Sequence, residues 1–345
     1  MEHVPMGRTG VKVSPLCLGA MNFGAWGNAD HDDCVRIVHA ALDAGINIID
    51  TADVYSAGES ERIVGKALAD GRRDDVVLAT KAHGPMGEDP NQRGGARRWL
   101  VREVDNSLRR LGTDHIDLYQ VHRPDPDAHI DETLGALTDL VRTGKILYAG
   151  CSTFPAHEVV ESHWVAEQRG RERFVSEQPP YSVLTRGVEA DVLPVAQEYR
   201  MAVLAWSPLA GGWLSGRYRR GRSSAGTHRE AWSGALAGRF DLAAAENQPK
   251  LDAVERLAEI AEQAGTSLVE LALGFVLRHP AVTSAIIGPR TIDHLRSALG
   301  AAELRLDDAT MDRIDEVVPP GASVEPGGAG WAPPALSRPE LRRRR

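Results

Sequence analysis

The stretch INIIDTADVYS, residues 46–56, begins as an apolar strand and ends in two carboxylates and a phenol: Asp50, Asp53 and Tyr55. Apolar runs of this length usually close on a turn rich in Gly, Asn or Pro. Seven other short runs share the apolar character. They are PLCLGAM (15–21), VVLATK (76–81), IDLYQVH (116–122), ILYAGCS (146–152), FVSEQ (174–178), AVLAWS (202–207) and TSAIIG (283–288). Helical periodicity fills most of the intervals, over 32–44, 97–111, 131–141 and 189–199. Eight strands alternating with helices predict parallel βαβ units closed into a (β/α)8 TIM barrel. The competing architecture, a doubly wound open sheet, would carry a Gly-rich phosphate turn after its first strand. NFGAWGNAD (22–30) does not fit that turn.

Two departures from the repeat are predicted. MGRTGVKVS (6–14) reads as a hairpin turning at Thr9-Gly10, placed to plug the N-terminal end of the barrel. After Ser207, at the end of the seventh strand, a long connection rich in Gly, Arg and Ser marks a functional loop or an unstructured one. Residues 1–318 are read as the barrel. Residues 319–345 are read as a Pro/Gly-rich irregular extension ending in a solvated basic tail.

Bulk properties narrow the function. A formal net charge of -8 argues against nucleic acid as a partner. No apolar run reaches membrane-spanning length. The N-terminal residues carry no secretion-signal pattern, and three widely spaced cysteines form no disulfide framework. The expectation is a cytoplasmic protein whose partner is a small molecule, with self-association left open. No His, Cys and Asp spacing points to a metal.

In such a barrel the reactive face lies at the C-terminal ends of the strands. Those positions hold Asp50, Lys81, His122, Ser152, Gln178, Ser207 and Gly288. Asp50, Lys81 and His122 end three consecutive strands, close enough for long side chains to meet. Tyr55 sits on the loop above them. A free phenol is a poor acid at neutral pH, and a Lys81 ammonium held by Asp50 is expected to pull its pKa down. His122 is placed to hydrogen-bond a substrate oxygen. The set suits protonation of a carbonyl oxygen as it gains charge. None of these residues supplies hydride, so a cofactor is required. Ser152 and Gln178 can bond a carboxamide, and Trp206 offers a flat face for a nicotinamide. Arg217 and Arg290 can meet phosphates, with Gly288 and Arg290 at the start of the last barrel helix.

Taken together, these motifs resemble the aldo-keto reductase superfamily, on the branch near the potassium-channel β-subunit-like reductases. NIIDTADVYSAGESERIVGKAL resembles its Asp-Thr-Ala-x-x-Tyr signature. LATKAHG, DHIDLYQVHRPDP, QPPYSVL, WSPLAGGWLSGRY and IIGPRTIDHL follow in the family's order. The resemblance implies an NADPH-dependent oxidoreductase reducing an aldehyde or ketone, with Tyr55 as general acid. Lys81 and Asp50 would tune it, and His122 would orient the carbonyl. It implies Ser152 and Gln178 at the carboxamide and Trp206 on the nicotinamide. Ser207, Pro208, Leu209, Gly211 and Arg217 would surround the pyrophosphate, and Arg290 the 2′-phosphate. Thr153, His294 and Ala298 depart from the usual Asn, Gln and Asn at the cofactor contacts.

Three further readings are carried. The protein could be an NADPH-binding redox sensor or regulatory subunit with weak turnover, since such subunits can retain the four residues. Lys81 could instead act as a Schiff-base amine. Trp26 and Trp213, on loops of the reactive face, are candidates for the substrate wall. Trp232 lies in the long loop, and Trp99 opens a helical pattern and reads as packing. Cys151 and the histidines of HEVVESH (157–163) read as structural.

Overall fold

The computed structural model of the chain describes residues 1–221 and 238–343. Eight parallel strands close into a barrel in chain order. They are Leu16–Gly19, Ile48–Asp50, Val77–Ala82, Ile116–Val121, Ile146–Ser152, Phe174–Gln178, Ala202–Ala205 and Ser284–Ile287. The last strand pairs with the first, so no edge is left. Val4–Pro5 and Lys12–Val13 pair antiparallel, with Gly10 at positive φ in the turn. Met6 and Val13 from this hairpin pack with Cys17, Ile48, Ala79, Leu118, Ala202 and Leu204 in a separate buried cluster at the barrel's base. The predicted plug is present.

Side chains alternate across each strand. Leu78, Tyr119 and Val121 face outward into the large core between strands and helices. Their neighbours Ala79 and Leu118 belong to the inner cluster. The same period carries Asp50, Lys81 and Gln120 into the barrel above that cluster. Adjacent strands are staggered, with Asp50 level with Ala79 and Lys81 level with Gln120.

The helices follow from apolar stripes. Arg97–Leu111 buries Trp99, Leu100, Val104 and Leu111, and ends on Gly112 in the left-handed conformation. His31–Asp43 starts on Asp30, whose carboxylate accepts the Asp33 N–H. Between the last two strands lie two helices, Gln248–Gln263 and Leu268–Arg278. Trp232 lies outside the described residues. After residue 318 the described chain carries short helical turns at Pro326–Ala329, Pro334–Ser337 and Pro339–Leu341, and its first part is docked on the barrel. Val324 and Glu325 donate backbone N–H bonds to the Leu184 carbonyl, and Glu325 pairs with Arg239 and Lys250. No single helix among the described residues is long and apolar enough to cross a membrane.

Candidate active site

Asp50 closes the second strand with its carboxylate almost fully buried. Every direction around it is satisfied. Lys81 Nζ donates to Oδ2 at 2.5 Å, and Gln120 and Gln178 Nε2 donate to Oδ1 at 3.0 and 2.8 Å. The Lys81 ammonium has three hydrogens. The other two go to the Thr51 carbonyl at 2.8 Å and the Tyr55 hydroxyl at 3.2 Å. Tyr55 therefore accepts from lysine and keeps its own proton for the cavity.

Burial alone would lower the Lys81 pKa, yet the Asp50 charge and the hydrogen bonds to Asp50 and Tyr55 hold it above the ordinary value. The lysine stays an ammonium. Tyr55 departs from expectation. Lys81 does pull its pKa down, but desolvation outweighs that pull and the net shift is upward. The phenol is held protonated. The His122 ring stands edge-on to Tyr55, centroids 5.6 Å apart. Burial, then the charges of Lys81 and Arg123, push the His122 pKa well below the usual range, so its imidazole is neutral.

Tyr55 opens a tight turn, Tyr55–Gly58, in which Ser56 and Ala57 both have positive φ. Strain of this kind persists only where the surroundings enforce it. Here the support is a buried polar cluster behind the turn. Arg110 pairs with Glu61 and Glu103 at 2.5 Å each, and Thr80 donates to Glu61. Gly58 (φ 86°) rests on Arg110, where a Cβ would lie 2.7 Å from its Cδ. Asp53 accepts the Val54 N–H. Burial, followed by Glu61 and Glu103, pushes its pKa well up. It belongs to this support and does not face the reactive cavity.

That cavity has a volume of about 640 Å³. Asp50, Tyr55, His122, Ser152, Gln178 and Trp206 line it, as do Ser207, Pro208, Leu209, Gly211, Arg217, Gly288, Arg290 and His294. Trp26 forms part of its rim, 5.8 Å from the Tyr55 ring. The Ser152 hydroxyl donates to the Gln178 carbonyl, so toward a ligand it can only accept. Arg217 and Arg290 have no ion-pair partner among the described residues. Burial and then the charge of Arg217 lower the Arg290 pKa.

Two expectations are corrected. Trp213 does not reach the cavity. It is fully buried, with Tyr218, Phe240 and the Lys250 ammonium around its ring. An aromatic in a Gly-rich loop found a core rather than a substrate. Thr153 does not line the cavity either. It adopts φ 60°, and its hydroxyl accepts the Trp206 Nε1–H at 3.3 Å. Its place is to hold the indole. Gln120 and Arg123 are additional to the sequence reading. Gln120 was detectable as a polar residue at an inward position of an apolar strand, and Arg123 as the residue after the strand-end histidine.

The aldo/keto reductase family model matches residues 15–319. An uncharacterized oxidoreductase, YrpG, of Bacillus subtilis is 39% identical over 96% of this chain and 100% of its own. A putative voltage-gated potassium channel subunit beta of Schizosaccharomyces pombe is 34% identical over 92% of this chain and 94% of its own. Versiconal hemiacetal acetate reductase of Aspergillus parasiticus is 31% identical, covering 95% of this chain and 99% of its own. The chain belongs to the aldo/keto reductase family.

Proposed function

We propose that the protein reduces an aldehyde or ketone to an alcohol with NADPH, using Tyr55 as general acid. The observation that carries this reading is the Lys81 ammonium. Its three donors are spent on Asp50, Thr51 and Tyr55, which leaves the phenol proton as the one aimed at the cavity. The residues present also fit a dinucleotide. Arg217 and Arg290 both line the cavity without an ion-pair partner among the described residues, and the charge of Arg217 acts on Arg290, as suits a phosphate site. The helix Ile292–Leu299 begins just beyond Arg290. Trp206 presents a ring held by Thr153.

A bound nicotinamide supplies the hydride that no side chain here can give. The protein's own part is to bind, orient and protonate. Neutral His122 and the Tyr55 hydroxyl converge on one carbonyl oxygen. As that oxygen gains charge, Tyr55 gives up its proton, and Lys81 stabilises the phenolate that remains. Asp50 keeps the lysine charged and fixed. Arg290, at the 2′-phosphate, supports NADPH over NADH.

The similarity to a protein named as a channel β subunit supports a second reading, a cofactor-binding subunit with weak turnover. One experiment separates the two. Purified protein is given NADPH and a panel of aldehydes, and the nicotinamide absorbance is followed. Turnover that falls at least ~100-fold in Tyr55→Phe, with NADPH binding retained, supports the reductase. Tight NADPH binding without turnover favours the subunit. Parent-level turnover in Tyr55→Phe removes the acid assignment.

A further inference from the structure

Arg123 follows His122 at the mouth of the barrel and lines the cavity beside Tyr55. It is a charged group with little to satisfy it. No carboxylate among the described residues lies within ion-pair distance of it. Nη1 donates to the backbone carbonyl of His122 at 2.5 Å. The guanidinium lies 6.0 Å from the Trp206 ring centre. A guanidinium carries five N–H donors in a planar fork, and among the described residues one side-chain hydrogen bond uses this one, to the His122 carbonyl. Burial is the main influence on its pKa and lowers it. Tyr55 and Glu177 oppose that at longer range.

The other cations around the cavity have assignments. Lys81 is paired with Asp50, and Arg239 with Glu325. Arg217 and Arg290 line the cavity and suit the cofactor's phosphates. Arg123 is left over at the reacting end. Gly330, from the docked C-terminal segment, lies against this pair. A Cβ at that position would stand 2.6 Å from the Trp206 Cζ2 and 3.6 Å from the Arg123 Nη2. A side chain there would press on the indole, while its approach to the guanidinium would be an ordinary contact. Asp50 cannot turn to neutralise Arg123, because both its oxygens are occupied.

We propose that Arg123 binds a carboxylate on the substrate, so that the preferred substrates are aldehydes or ketones bearing an acid group. This deepens the carbonyl-reduction reading and rests on it for the reacting end of the molecule. The planar fork matches a carboxylate's two oxygens. Trp26, on the rim, supplies an apolar wall for the carbon skeleton between the two ends.

The test uses matched probes that differ only in charge. For binding, 4-(hydroxymethyl)benzoate and its methyl ester are titrated into the NADP⁺-saturated protein by calorimetry. For turnover, 4-carboxybenzaldehyde and methyl 4-formylbenzoate are compared with NADPH. The parent should bind the acid about tenfold or more tightly than the ester, as expected for a charge-assisted pair. Arg123→Met should abolish that preference, and Arg123→Lys should restore part of it. The acid-to-ester ratio of kcat/KM should follow the same order. Equal binding of acid and ester by the parent overturns the proposal. So does a preference that survives in both Arg123→Met and Arg123→Lys. If acid binding depends on Arg123 but neither aldehyde consumes NADPH, the carboxylate anchor stands and the carbonyl-reduction reading falls.

Discussion

Lys81 and Asp50 form an ion pair inside the barrel, Nζ to Oδ2 at 2.5 Å, with the lysine side chain fully buried and the aspartate 4% exposed. A pair this deep contributes little net stability when whole, because desolvation offsets the attraction. Removing one partner leaves a buried, uncompensated charge. Lys81→Met should therefore cost about 3–5 kcal/mol of unfolding free energy. Adding Asp50→Asn to that variant should recover most of the loss while activity stays abolished. Urea denaturation of the parent, the two single variants and the double variant measures the coupling. Additive losses would show that the pair is not the unit that the geometry describes.

Arg290 and Arg217 give a prediction about the cofactor. Each is a cavity cation without an ion-pair partner among the described residues. If Arg290 meets the 2′-phosphate, Arg290→Ala should raise the KM for NADPH by about tenfold or more, the scale of one charge-assisted contact. The KM for NADH, which lacks that phosphate, should move far less. Steady-state kinetics with both cofactors decides it. An equal rise for the two would place Arg290 at the shared pyrophosphate or adenosine instead.

Much of this architecture could be read from periodicity. Eight apolar runs separated by helical stretches gave the closed barrel, and strand-end positions gave Asp50, Lys81, His122 and Gln178. Local patterns carry that information because a barrel repeats one unit and puts its reactive face at a fixed place in each repeat. What escaped depends on three-dimensional balance. The Tyr55 pKa is a contest between burial and a nearby ammonium, and sequence shows only the ammonium. Trp213 has the loop position of a pocket residue, but Tyr218, Phe240 and Lys250 enclose it. The support behind the Tyr55 turn joins Glu61, Glu103 and Arg110 from two helices, a meeting that no spacing announces.

Glu177 provides a pH test of the wall beside the site. It lies on the outward side of the sixth strand, next to Gln178. Its carboxyl meets Cys151 Sγ at 2.9 Å and accepts the Phe154 N–H. Burial raises its pKa from 4.5 to about 7, against smaller lowering influences led by the Cys151 contact. The folded protein thus holds this proton more tightly than the unfolded chain. Stability from Glu177 is greatest below pH 4.5 and falls as pH rises to about 7, where the folded group also ionises. Over that window the loss is roughly 3 kcal/mol, at 1.36 kcal/mol per unit of pKa difference. Glu177→Gln keeps an acceptor for Phe154 and cannot ionise. Its unfolding free energy relative to the parent should climb across the window and level off above it. Denaturant titrations at several pH values measure that difference, and a difference that stays flat from pH 4.5 to 7 would mean that Glu177 is already ionised in the folded barrel at the acid end.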